Sequence, residues 1–406
     1  MARLKLALNL LLVLGTLFPI VANWRSDFDP NHQLVIDEKN YLFGAFRMKE
    51  KGTPFYTEDG LHSVGMQMLT YALLLATDTG HVRTADYYLN LVLWTLLIAL
   101  AGGIGFLFSR DLTFALATAF FTAHSALLRK YCGYLQYEIP AAFLTAVLLF
   151  LCLRPLTRRM AYAAGALIAL LGIFRFHFTQ FLPLVALVHA GSLKREGAVW
   201  RPVLIALLLG FVAIALPFNL YYSVKRGQPF FFQTNVTTGT FLNALNPKTD
   251  GRAFPYQHFS ADKGVRGLPF IAQMPGKYLD LLSSRFGFLV GLEKDAWFIE
   301  SDWVKSIADK LNGRSESIRP WFVLFLILSI VGGTAVCLRN AAAFRFRHPS
   351  LLILAPPLVV LLPNFLVNSS TRFLVTAIPF FIVLQLAFWN ELVKRVRPLF
   401  ADGEAA

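Results

Sequence analysis

Charge is what this chain has least of. Asp, Glu, Lys and Arg together make up 15% of its 406 residues, against 56% hydrophobic residues and a mean hydropathy of +0.54. A water-soluble fold of this length needs far more polar surface, so the composition excludes that class and leaves a polytopic membrane protein. Cysteine is scarce as well. Cys132, Cys152 and Cys337 lie far apart and provide neither a metal-ligand spacing nor a disulfide framework. Internal repeats and low-complexity tracts are missing. Acids are the scarcer sign, 24 against 38 Lys and Arg, giving a formal charge of +14. The basic residues stand in short clusters between apolar runs, which is the positive-inside pattern and argues against nucleic acid as a partner.

What is present is a series of apolar runs. With a spanning helix taken as roughly 17–25 residues, about ten spans are expected: 4–22, 84–107, 112–128, 138–153, 160–174, 178–192, 202–222, 320–338, 350–367 and 373–390. The run 61–76 would make eleven. Counting it would turn Arg154, Arg158, Arg159 and later basic clusters outward, so it reads as an interfacial helix lying on the membrane surface. The first run has a basic start and reads as an uncleaved first span. With that choice both termini are cytoplasmic. The expected organisation is all-α. Residues 1–222 form an N-terminal transmembrane module carrying a first outer segment (23–83), residues 223–318 a long outer loop, and residues 319–406 the C-terminal helices.

The few acids are unevenly placed. Nine fall between Asp27 and Asp86, nine more between Asp250 and Glu316, and five at the cytoplasmic face or tail. Glu138, in Tyr137-Glu138-Ile139-Pro140, is the one that opens a span without a long loop around it. An ionisable group there suits a functional site, and it suits the positive end of a helix dipole equally. Two arginines stand at outer span ends, where the charge rule disfavours them. One is Arg175, in Gly172-Ile173-Phe174-Arg175-Phe176-His177; the other is Arg372, in Ser370-Thr371-Arg372-Phe373. A guanidinium at that depth can hold a phosphate in bidentate fashion or snorkel to headgroups. In the first outer segment, Asp37-Glu38-Lys39-Asn40-Tyr41 begins a short amphipathic helix. Asp37, Tyr41, Gly44 or Ala45, and Met48 share one of its faces, expected to lie against the membrane surface. A carboxylate there can take a proton from an acceptor hydroxyl.

These pieces, in this order, resemble the GT-C fold glycosyltransferases that use polyprenyl-phosphate-linked sugars, the protein O-mannosyltransferase and aminoarabinose transferase group in particular. Asp37-Glu38-Lys39-Asn40-Tyr41 is similar to that group's acidic motif after the first span, and Glu138 to its acid opening a later span. Gly172 to Arg175 matches a Leu-x-Arg element. Pro217-Phe218-Asn219-Leu220-Tyr221-Tyr222 with Gly227, and Arg372-Phe373 with Pro379, echo two later motifs. The arginine of the first of these is missing here, and His62 stands where a phosphate contact is sometimes supplied. The resemblance implies inverting sugar transfer on the outer face of a bacterial inner membrane. It implies Asp37 and Glu38 as catalytic residues, and Tyr41, His62, Glu138, Arg175, His177, Asn219, Tyr222 and Arg372 as substrate-binding. The partners it implies are a polyprenyl-phosphate-linked sugar donor, a lipid, glycan or protein acceptor, and membrane lipids. No cofactor is demanded, although these carboxylates are compatible with a divalent metal. The competing expectation is a flippase for a lipid-linked precursor. It would want helix breaks at mid-span, for which Gly102-Gly103 and Gly332-Gly333 are the candidates.

Overall fold

The computed structural model describes residues 2–26, 36–54, 64–195, 200–227, 230–232, 276, 315–343, 349–366 and 371–401; the side chains of Ile36, Asp37 and residues 371–373 are among those it does not describe. Among the described residues the chain is all helix and turn. In order the elements are α1 (Ala2–Trp24), α2 (Ile36–Lys51), α3 (Val64–Ala76), α4 (Val82–Ser109), α5 (Leu112–Ala123), α6 (Ala126–Cys132), α7 (Glu138–Cys152), α8 (Arg158–Phe174), a 3-10 turn (Phe176–Gln180), α9 (Phe181–Arg195) and α10 (Arg201–Arg226). Beyond residue 314 come α11 (Ser315–Ala343), a 3-10 turn (Pro349–Leu354), α12 (Ala355–Leu366), a 3-10 turn (Thr371–Ala377) and α13 (Ile378–Ala401).

Helical structure overlaps each of the ten expected runs, but among the described residues five stretches, not ten, are long and apolar enough to cross a membrane: Arg3–Trp24, Val82–Ser109, Phe176–Lys194, Arg201–Lys225 and Leu374–Val396. A sixth is added if α5 and α6, which meet at a bend of 52°, are one broken span. Glu138–Cys152 and Val64–Ala76 are shorter apolar helices. At 1.5 Å per residue, the 13 residues of α3 reach about 20 Å, short of a hydrocarbon core of about 30 Å. Helix α10 runs past the expected boundary at 222 as far as Arg226.

The first helix shows what solvates this fold. Leu4, Leu11, Leu14 and Phe18 of α1 are exposed by 64–76%. An apolar surface of that extent is a lipid face rather than a water face. The opposite side of α1 is fastened to α5. Lys5 Nζ donates to Asp111 Oδ2 at 3.0 Å, Thr113 Oγ1 donates to Asn9 Oδ1 at 2.9 Å, and His124 Nε2 lies 3.0 Å from the Gly15 carbonyl. Asp111 also caps α5, accepting the amides of Thr113 at 2.7 Å and Phe114 at 3.2 Å. Lys5, and then the two capped amides, hold the Asp111 carboxyl below the usual carboxylate range. Its stabilising contribution is therefore full above its unfolded value of about 4 and is lost as pH falls through the lower folded value. Asp111→Ala should cost about 1 kcal/mol, the usual loss of an N-cap, while Asp111→Asn should keep most of the cap. Thermal unfolding of the two variants in detergent checks this.

The glycine pairs are contacts, not breaks. Gly102 and Gly103 lie inside the continuous helix α4, and Gly332 and Gly333 inside α11. A Cβ on Gly102 would come within 3.3 Å of the Ala115 carbonyl of α5, and one on Gly103 within 2.9 Å of the Phe150 ring. A Cβ on Gly333 would overlap the Leu384 carbonyl of α13. Small residues at such crossings let helix backbones approach closely. Helix breaks, the feature expected of the flippase reading, are therefore absent at both pairs.

Candidate active site

The site is assembled where the N-terminal ends of α2, α4 and α7 meet the C-terminal end of α8. Helix α2 forms over a stretch whose buried row is Tyr41, Ala45 and Met48, exposed by 1%, 0% and 0%. That row was expected to lie on the membrane surface. It is covered by protein instead, because α3 packs against α2. Gly44 makes the approach close, since a Cβ there would overlap the Gln67 side chain. Lys49 Nζ ties the far end of α2 to the Leu74 carbonyl at 3.3 Å. Asp37 stands by its backbone in the first turn of α2, one residue before Glu38, and its side chain lies outside the described residues.

Glu38 is withdrawn from solvent altogether, at 0% exposure, and its Oε1 accepts the backbone N–H of Leu135 at 2.8 Å. Leu135 belongs to the turn between α6 and α7, and three residues later Glu138 opens α7, also at 0% exposure. Tyr137, between them in the chain, carries the Arg175 guanidinium over its ring, with Cζ 4.6 Å from the centroid. Arg175 leaves the end of α8 in extended backbone, φ −153°, which turns it out of the helix and into the 3-10 turn that carries His177. Glu38, Tyr137 with Glu138, and Arg175 are thus brought to one place from three segments that are remote in sequence.

Asn219 and Tyr222 belong to the neighbouring aromatic cluster. Tyr222 is buried with Phe218, Phe230 and Phe232, on the side of the site where Met48 and Val64 lie. The Asn219 amide fixes the end of α10: Nδ2 donates to the Ala215 carbonyl at 2.7 Å and Oδ1 accepts the Phe232 amide at 2.9 Å. Ser223 Oγ accepts the Phe230 amide at 2.9 Å. His177 is half-buried, its ring centroid 4.3 Å from that of Phe178. His62 lies outside the described residues. Arg372 is placed by its backbone in the 3-10 turn before α13, and its side chain is outside the description.

Two polar groups in the same place escape a reading of the sequence. Asp86 and Asn90, one turn apart on α4, are exposed by 1% and 0%. Asp86 lies within electrostatic range of Glu38. Its signal in the sequence is a polar i, i+4 pair inside an otherwise apolar helix, which is costly in a membrane and therefore informative. Arg129 is a half-buried cation on α6, within electrostatic range of Cys132. As to a metal, no group of three or more His, Cys, Asp or Glu side chains among the described residues is gathered closely enough to hold one. Among the described residues these donors do not make a metal centre.

No protein-family model matches the chain, and no curated protein sequence matches it. Among solved structures it is similar to the apo form of the Archaeoglobus fulgidus oligosaccharyltransferase. The TM-score is 0.54 at 15% identity, covering 99% of this chain and 52% of that one. The complex of that oligosaccharyltransferase with Zn and sulfate gives a TM-score of 0.49 at 16% identity, covering 98% and 51%. The chain spans about half the length of the structures it matches. At this identity the likeness is one of fold alone.

Proposed function

We propose that the protein is a membrane glycosyltransferase that moves a sugar from a polyprenyl-phosphate-linked donor to an acceptor hydroxyl on the outer face of the membrane. The observation that supports this most is the gathering of buried Glu38 and Glu138 beside Arg175 at one end of a GT-C-like helical bundle. Buried carboxylates and a guanidinium off a helix end are costly in an apolar fold. A reaction between an anionic lipid phosphate and a proton-bearing nucleophile gives both charges a use.

In this reading the Asp37 carboxylate accepts the acceptor's hydroxyl proton as the new oxygen–carbon bond forms at the anomeric carbon. The carbon–oxygen bond to phosphate breaks on the opposite face, with inversion, and its electron pair leaves with the polyprenyl phosphate. Arg175 and Arg372 hold that phosphate, because guanidinium–phosphate pairs are bidentate and gain strength away from water. Glu38 and Glu138 orient the donor or acceptor, and Tyr41, His62, His177, Asn219 and Tyr222 bound the sugar and lipid. The finer assignment is to enzymes like the O-mannosyl and aminoarabinose transferases. The membrane is a bacterial inner membrane, with both termini cytoplasmic and the acceptor a lipid, glycan or protein.

Arg175→Ala should raise the KM for the lipid-linked donor by about tenfold or more, the worth of one charge-assisted contact, with a smaller change in the KM for acceptor. Arg175→Lys should recover only part of it, since an ammonium cannot make the fork. Steady-state kinetics in proteoliposomes with donor and acceptor varied separately gives the answer. Equal effects on both KM values would remove Arg175 from the phosphate site.

A further inference from the structure

Two hydrogen bonds from different helices meet on a single peptide group. The unit joining Tyr134 to Leu135 accepts at its carbonyl from Asn90 Nδ2 at 3.3 Å, and donates from its N–H to Glu38 Oε1 at 2.8 Å. Asn90 Nδ2 donates as well to Asp86 Oδ2 at 3.0 Å. The chain Asp86–Asn90–peptide 134/135–Glu38 therefore runs unbroken from α4, through the turn before α7, to α2. Cys132 Sγ, 3.9 Å from the Asn90 carbonyl and 3.4 Å from that of Leu128, seats the end of α6 against the same turn of α4.

The arrangement is expensive for packing alone. Asp86 and Asn90 are within 1% of complete burial, and among the described residues neither Asp86 Oδ1 nor Asn90 Oδ1 has a hydrogen-bond partner. An aliphatic pair would fill the same space without that cost. What the polar pair supplies is direction. An asparagine amide can be turned either way, and with its oxygen toward Tyr134 it would set two carbonyls against each other. The Asp86 carboxyl fixes the orientation, because only the NH2 face of Asn90 can satisfy both Asp86 Oδ2 and the Tyr134 carbonyl.

We propose that Asp86 is a positioning residue for the transfer site: by fixing the Asn90 amide it orients the Tyr134–Leu135 peptide, which sets both the Glu38 carboxylate and the entry of Glu138. This rests on the glycosyltransferase reading, and its structural half can be measured apart from activity. The full chain in lipid nanodiscs is followed by hydrogen exchange, resolved to the Leu135 amide, for wild type, Asp86→Ala, Asp86→Asn and Asn90→Asp. An asparagine at 86 keeps an acceptor oxygen for Asn90, so Asp86→Asn should protect Leu135 as wild type does. Asp86→Ala and Asn90→Asp should release it, with exchange faster by on the order of tenfold for a lost net hydrogen bond, while amides of α8 and α10 stay protected. In transfer assays Asp86→Ala should lower kcat with donor KM little changed, and Asp86→Asn should restore kcat. Unchanged Leu135 exchange in Asp86→Ala overturns the proposal, as does an Asp86→Asn variant that behaves like Asp86→Ala. A wild-type chain inactive toward lipid-linked sugars, yet with the expected exchange pattern, would sink the functional reading and support the positioning of the turn by Asp86. Asn90→Asp changes no side-chain volume, so it carries the test even if Asp86→Ala fails to fold.

Discussion

Replacing Asp37 with asparagine should lower the rate of sugar transfer by about 10²–10⁴-fold, the usual worth of a positioned general base. Donor binding and the folded state should persist. The substitution is isosteric and leaves the row Tyr41, Ala45 and Met48, which holds α2 in place, untouched. Glu38, its neighbour, should respond differently. Its Oε1 is committed to the Leu135 amide, a bond that glutamine can also accept. Glu38→Gln should therefore be milder than Glu38→Ala, which buries an unsatisfied N–H at a cost of about 1–3 kcal/mol. Initial rates in proteoliposomes, with binding of the labelled donor measured alongside, separate the two acids. Full activity in Asp37→Asn would remove it as the base.

The largest expected effect on stability lies at the crossing of α8 and α10. A methyl group on Gly165 would overlap the Leu207 carbonyl, and one on Gly210 would overlap the Tyr162 carbonyl. The obstacle in each case is backbone, which cannot rotate aside, so the helices must part. Gly165→Leu or Gly210→Leu should destabilise by at least the 1–3 kcal/mol typical of overpacking, roughly, and alanine at either position should already be felt. Gly80→Ala is the comparison, because its nearest neighbour, Asp78 Oδ1, is 3.5 Å away. Thermal unfolding in detergent should show a clear drop for the first two and little for the third. Since Ile173 and Phe174, at the end of α8, immediately precede Arg175, parting these helices should also misplace the guanidinium and reduce transfer.

The helices were legible in the sequence because length and hydropathy dictate them. Runs expected at 4–22, 84–107 and 202–222 correspond to α1, α4 and α10, and the short apolar piece at 61–76 to the 13-residue α3. Periodicity also identified the row Tyr41, Ala45 and Met48. It could not say what covers that row, and the cover is α3 rather than membrane. The glycine pairs misled for a related reason: local composition does not distinguish a helix break from a close crossing, which depends on a carbonyl of another helix. Asp86 stayed hidden because it was one of nine acids in a polar stretch. What singles it out is a bond to Asn90 and thence to a peptide 44 residues further on. Asn219 shows the reverse, a motif position whose amide turns out to pin the chain after α10. In each case the missing information was a non-local partner.

The central claim is that the sugar–phosphate bond of a lipid-linked donor is broken at this site, rather than the donor being carried across intact. The direct measurement is release of polyprenyl phosphate. Purified protein is placed in vesicles whose outer leaflet carries a polyprenyl-phosphate sugar labelled in both lipid and sugar, with acceptors supplied outside. The wild type should release free polyprenyl phosphate and glycosylated acceptor in equal amounts, and Asp37→Asn should form both about 10²–10⁴-fold more slowly. Movement of doubly labelled, uncleaved donor between leaflets, at equal rates in both proteins, would contradict that claim.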